Sequence, residues 1–254
     1  MEVTVDMMQH GQPPPKIVIL TQARLGSTRL PGKILKSVCG KTLLEHHVER
    51  LQRSRLAHEV MVATTLNPLD DQVVALCKKR GFPFFRGSEN DVLDRYYQAA
   101  ASTNANVVVR VTSDCPLIDP AVVDLVIERF LGQRGSADYV SNVLQRTYPR
   151  GMDTEVFTFT ALEEASTKAR LPAEREHVTP YMHKHARLSH VTNALDLSED
   201  RWTVDTAEDF ELVSRILSAL YPAKPEFTME DILTLLEQHP DWKLLNRHVS
   251  QKAT

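Results

Sequence analysis

Residues 16–131 alternate short runs of branched apolar residues with helical stretches, which confines the first half of the chain to βαβ units around a mainly parallel sheet. Residues 16–22 (KIVILTQ) read as a buried strand, 60–65 (VMVATT) as a second, 82–85 as a short third and 106–112 (NVVVRVT) as a fourth. Helices are expected over 42–53, 70–80, 90–102 and 120–131. Gly81 closes the second of these. In the last, Val122, Val123, Val126 and Phe130 share one face.

The second half is less regular. Strands are expected over 137–143, 154–159, 189–195 and 201–204, and helices over 207–220 and 229–238. A further helix over 173–186 contains Pro180, which should disturb it. Nothing repeats internally. The expected organisation is a flexible tail over 1–15 ending in three prolines, one α/β domain over 16–220, and a helical extension over 221–254.

Ligands of such sheets bind beyond the carboxyl ends of the strands. Three segments follow strands in that way: 23–33, 86–91 and 113–119. A net charge of −3 excludes a general nucleic-acid or membrane-surface binder, so any anion chemistry must rest on local cations. No apolar run is long enough to span a membrane. Cys39, Cys77 and Cys115 have no zinc-site spacing and read as small buried thiols in a cytoplasmic protein.

The first segment concentrates that local charge. Arg24, Arg29 and Lys33 stand in one loop with Gly26, Gly32, Ser27 and Thr28, a set of cations, hydroxyls and free backbone N–H groups suited to a polyphosphate. A solvated basic loop is the plainer reading. The loop is neither a Walker A, since Gly26 and Gly32-Lys33 are one residue too far apart, nor a GxGxxG turn.

Asp114 follows the clearest strand, where a carboxylate serves as a Mg²⁺ ligand or as a turn cap. Asp205 ends the 201–204 strand. Thr206 and Asp209 after it have capping-box spacing, which leaves Asp205 the freer acid. Arg150, Arg175 and His177 are candidates for an acidic acceptor, although Glu174 and Glu176 flank Arg175 and equally suit a surface ion pair. His183 and His185 read as solvated.

At these motifs the chain resembles the cytidylyltransferases of spore-coat polysaccharide biosynthesis, relatives of CMP-acylneuraminate and CMP-Kdo synthetases. The resemblance runs through QARLGSTRLPGK (22–33), VATT (62–65), FRGSENDVLDRY (85–96), RVTSDCPLIDP (110–120), REHVTPY (175–181) and RWTVDTAEDFELV (201–213). Leu25 and Ala207 stand where the family usually has Met and Pro.

The resemblance implies a Rossmann-like, GT-A-like three-layer nucleotidyltransferase fold with a small β-containing extension, near residues 140–195, that forms a homodimer. It implies CTP bound against Gln22, Ala23, Arg24, Gly26, Ser27, Arg29, Lys33, Thr64, Arg86, Asp91, Arg95, Thr112 and Ser113. Asp114 and Asp205 would hold Mg²⁺ and, with Arg24 and Lys33, form the catalytic set. Arg150, Glu155, Arg175 and His177 would face an acidic, nonulosonic-acid-like sugar. A phosphonate or sugar-phosphate acceptor, or a non-catalytic nucleotide-sugar-binding protein, stays open as an alternative. A glycosyltransferase is disfavoured because no Asp-x-Asp pair follows the Asp114 strand.

Overall fold

The computed structural model describes residues 14–250, so most of the tail expected over 1–15 lies outside the described residues. Strand β1 (Ile17–Gln22) is buried on both faces, which is why it reads as an uninterrupted apolar run. It sits inside a seven-stranded sheet ordered β5 (Phe84–Gly87), β4 (Glu59–Thr65), β1, β6 (Val107–Thr112), β8 (Glu155–Thr158), β7 (Tyr139–Ser141), β9 (Leu188–His190). The β4–β5, β1–β4, β1–β6 and β7–β9 pairings are parallel, whereas β8 runs antiparallel to both β6 and β7. A two-residue ribbon, β2 (Ser37–Val38) with β3 (Lys41–Thr42), stands apart.

Helices cover both faces. Helices α1 (Leu43–Leu51), α2 (Asp71–Arg80) and α4 (Pro120–Gly132) bury Val48, Val73 and Val126 against one side of the sheet. Helices α3 (Val92–Ser102), α5 (Phe159–Lys168), α6 (Pro172–His177) and α7 (Pro180–His185) lie on the other, with Tyr96, Leu162 and Met182 in its core. A third core joins α8 (Ala207–Leu220) and α9 (Met229–Gln238) to Trp202 and Val204. The fold is the three-layer α/β arrangement expected. Asp119 fastens α9 to the body: its Oδ1 caps α4 by accepting from the Ala121 N–H, and its Oδ2 accepts from the Met229 N–H at 2.6 Å.

Successive strands step outward from β1 to β4 and β5, and β6 then returns to the opposite side of β1. The carboxyl ends of β1 and β6 therefore flank the topological switch point, where such sheets take ligands.

Several elements depart from expectation for identifiable reasons. The third strand starts at Phe84 because Phe82 closes α2 instead: Gly81 is left-handed at φ 69° and the Phe82 N–H donates to the Cys77 carbonyl at 2.9 Å. The helix over 173–186 is two short helices, with Pro180 as the first residue of the second. Between them Val178 adopts φ 72°, and the Thr179 N–H donates to His177 across a three-residue turn. Residues 191–195 leave the sheet after β9. No strand forms over 201–204. A single bridge pairs Arg150 with Arg201, and the backbone that follows bonds to the loop after β6. Cys77 and Cys115 are buried as expected, but Cys39 is exposed at the ribbon's turn. No helix among the described residues is long and apolar enough to cross a membrane.

Candidate active site

The loop after β1 is held at Leu25. Its side chain is buried, its N–H donates to Asp70 Oδ1 at 2.8 Å, and its carbonyl accepts from Ser27 and Gly32. Asp70 is itself buried and takes the Thr65 hydroxyl on its other oxygen. Gly32 then turns left-handed at φ 66° into a single 3-10 turn, Lys33–Leu35, which buries the Lys33 stem. The cationic loop is thus a braced structure, and its plainer reading as a solvated loop does not describe Lys33.

Two backbone contacts bring the acids together. The carbonyl of Asp114, in the turn after β6, accepts from the Val204 N–H at 2.8 Å and from the Thr203 hydroxyl at 3.2 Å. Asp205 is the next residue, so it lies beside Asp114 although the two are remote in sequence. Lys33 Nζ bridges them, donating to Asp114 Oδ2 and Asp205 Oδ1 at 2.8 Å each. Asp205 Oδ2 pairs with Arg29 at 2.8 Å and Arg201 at 2.7 Å. Behind it, Thr206 and Asp209 form the expected capping box of α8, and Asp209 also pairs with Arg201. Asp205 is therefore engaged by three cations instead of standing free.

Burial would raise the Asp114 carboxyl, but the Lys33 charge and hydrogen bonds from Lys33, Thr112 and Cys115 outweigh it and hold the group near 2. Lys33 is likewise pushed down by burial and, more strongly, up by the two carboxylates, for a raised pKa. Both groups are charged at neutral pH.

His47 braces the Asp114 turn from beneath. It is fully buried, with Nδ1 2.8 Å from the Cys115 carbonyl and Nε2 2.9 Å from the Thr21 hydroxyl. A carbonyl only accepts, so Nδ1 carries the proton and neutral Nε2 accepts from Thr21. Burial lowers its pKa to about 4 from an ordinary 6.5, despite the Cys115 carbonyl and the Asp114 charge. Below pH 6.5 the unfolded chain takes up a proton that the folded chain refuses until about pH 4. The stability from neutral His47 is therefore complete above pH 6.5 and lost as pH falls to 4, by about 3 kcal/mol in all. Urea unfolding at pH 7.5 and 4.5 should show that loss, and His47→Gln should reduce it. An equal slope in the variant would assign the acid limb to other groups.

Other sequence candidates divide between the switch point and the interior. Gln22 Oε1, Thr64 Oγ1 and Arg95 Nε are buried and have no hydrogen-bond partner among the described residues. Ala23 extends the β1–β4 pairing through its N–H to Ala63, Ser113 donates to Gln22, and Thr112 ends β6. Arg24 and Gly26 are exposed, and a side chain at Gly26 would meet Glu89 only at an ordinary contact of 3.9 Å. Arg86 braces the loop after β4 through the Thr65 and Asn67 carbonyls and pairs with Asp71. Asp91 caps α3 and holds Arg175, so Arg175 does not pair with its neighbours Glu174 and Glu176. Glu174 pairs with Lys184.

The acceptor candidates do not gather at one point. Glu155 is buried against Arg110 and accepts from Tyr139 at 2.6 Å. His183, expected in solvent, instead lies 3.0 Å from the Tyr139 hydroxyl, and its pKa is lowered by burial. Arg150 and His177 are half-buried, Arg150 in the bridge to Arg201 and His177 at the end of α6. Residues that sequence reasoning left out are Asp70, Arg110, His47 and Asn246. Each acts through a long-range contact with no local spacing to announce it.

A family model described as cytidylyltransferase matches residues 18–244. The chain belongs to the cytidylyltransferase family. A solved cytidylyltransferase from Leptospira borgpetersenii is 38% identical and superposes with a TM-score of 0.86, covering 95% of this chain and 99% of its own. The spore coat polysaccharide biosynthesis protein SpsF of Bacillus subtilis is 33% identical over 89% of this chain and 95% of its own. A 3-deoxy-manno-octulosonate cytidylyltransferase of Trichlorobacter lovleyi is 36% identical over 47% of each chain. The resemblance carried by the sequence blocks is borne out.

Proposed function

We propose that this cytidylyltransferase moves CMP from CTP to an oxygen of an acidic sugar, releasing pyrophosphate, in surface-polysaccharide biosynthesis. The observation that carries the reading is the convergence of Lys33, Arg29, Asp114 and Asp205 at the carboxyl ends of β1 and β6. Similarity to SpsF and to a 3-deoxy-manno-octulosonate cytidylyltransferase supports the acidic sugar and the pathway class.

The residues suit a divalent cation. Asp114 and Asp205 reach the same ammonium at 2.8 Å, so two carboxylates already converge on one positive centre. No cluster of three or more His, Cys, Asp or Glu side chains able to hold a metal occurs among the described residues. The pair of carboxylates suits Mg²⁺, which is commonly held by one or two carboxylates with the remaining positions filled by phosphate oxygens and water. When bound, it would neutralise phosphate charge and activate the acceptor oxygen.

The chain's own groups do the rest. Arg24, exposed at the loop's start, and Arg29 receive phosphate oxygens. Lys33 offers its ammonium to the triphosphate where charge accumulates on the leaving pyrophosphate. The unpartnered Gln22, Thr64 and Arg95 atoms give the nucleotide polar groups to satisfy at the sheet edge. Holding the acceptor in line with the α-phosphorus supplies a further share of the rate. Two copies of the chain, joined through residues 140–195, are the proposed assembly.

Pyrophosphate release is measured with each NTP and Mg²⁺ against a panel of acidic sugars. Release with CTP and one acidic sugar is expected. Release only with another nucleotide, or only with a neutral sugar, would reject the corresponding half of the reading.

A further inference from the structure

The chain beyond residue 244, where the family model ends, returns to the active site from behind. Trp242 stacks on His239 and lies under Arg215 of α8, and Lys243 reaches Asp200. These contacts bring Asn246, only 4% exposed, onto the backbone that leads to Asp205.

The side-chain nitrogen of Asn246 lies 2.8 Å from the Arg201 carbonyl and 2.8 Å from Asp209 Oδ1. Both of those groups only accept, so the chemistry requires the amide NH₂ at this position, with one hydrogen for each. Asp209 is wholly buried, and each of its oxygens is committed. Oδ1 takes Arg201 Nε and Asn246, while Oδ2 takes the N–H groups of Asp205 and Thr206 at 2.9 and 3.1 Å and Arg201 Nη2 at 3.1 Å. Arg201 in turn reaches Asp205 Oδ2 at 2.7 Å. Asn246 thus completes a closed set of hydrogen bonds whose other members grip Asp205 by both its N–H and its carboxylate.

We propose that Asn246 is a positioning residue for Asp205, so that the C-terminal segment helps to hold one of the two converging acids of the nucleotidyl-transfer site. The proposal rests on the reading of Asp205 given above. Removing the amide leaves a buried carboxylate oxygen and a buried carbonyl each short of a donor, and the strain passes through Arg201 and Asp209 to Asp205.

The test compares wild type with Asn246→Leu, which keeps the volume and removes both donors. Asn246→Ser, which keeps one donor, serves if the first variant does not fold. Amide hydrogen exchange is followed at Asp205 and Thr206, with the β1 amides as an internal reference. Faster exchange at the two site amides with β1 unchanged is expected. In turnover assays kcat should fall about 10- to 100-fold, the usual effect of removing a partner of a metal-site carboxylate, with the apparent KM for CTP little changed. Unchanged exchange at Asp205 and Thr206 overturns the proposal. So does faster exchange with undiminished kcat. If the wild type itself releases no pyrophosphate with any pair, the functional reading fails separately, and the exchange data decide on Asn246 by themselves.

Discussion

Asp114→Asn is expected to remove turnover, by about a thousandfold or more, while the protein stays folded. The charge is what the site needs. The Asp114 carboxylate lies 2.8 Å from the Lys33 ammonium and shares that cation with Asp205. An amide keeps the shape and one acceptor but gives up the negative charge, and losing one preorganised electrostatic group at a reacting centre costs 10²- to 10³-fold even when it is a neutral donor. The fold has little stake in that charge. The backbone carbonyl of Asp114, not its carboxylate, takes the Val204 N–H, and the His47 brace acts on Cys115.

The stability cost follows from linkage. A carboxyl held near 2 against an ordinary 3.8 contributes about 2 kcal/mol, present above pH 3.8 and lost as pH falls to 2. The variant forfeits that share at neutral pH, which a chain with the usual 5–15 kcal/mol tolerates. Pyrophosphate release and thermal unfolding, measured on one preparation, check both halves. A folded variant with near-wild-type rates at saturating Mg²⁺ would take Asp114 out of the mechanism.

Much of this site was visible in the sequence because its parts follow strands. The basic loop after 16–22 and Asp114 after 106–112 could be placed at one sheet edge, since parallel strands end on the same side. What could not be read was which groups meet. Asp205 comes to Asp114 through the Val204 N–H, a contact made possible because residues 201–204 bond to a loop and not to a strand. Alternation of apolar and polar residues cannot distinguish those two partners. In sequence Glu155 reads as a contact for the acceptor and His183 as a solvated side chain. They are drawn inside because Arg110 and Tyr139 on neighbouring strands supply partners there. The break at Val178 was equally hidden: Pro180 marks a helix start, but nothing local calls for a β-branched residue at positive φ.

Lys33→Met should move two measurements in opposite directions. Losing a charge-assisted contact of about 1.5–3 kcal/mol should weaken use of CTP by one to two orders of magnitude. In the absence of nucleotide, however, the ammonium that occupies these oxygens of Asp114 and Asp205 would compete with a divalent cation proposed to bind there. Methionine fills the buried stem's space and leaves those oxygens unclaimed, so Mn²⁺ should bind the nucleotide-free variant more tightly than the wild type. Arg29 and Arg201 still cover the far oxygen of Asp205, which keeps that acid in place. Steady-state kinetics with CTP and Mn²⁺ titration without it read the two effects independently. Weaker Mn²⁺ binding in the variant would mean that the ammonium does not stand in the cation's place. Unchanged CTP kinetics would mean that Lys33 releases neither carboxylate for the nucleotide, and that its role is to hold the two acids together.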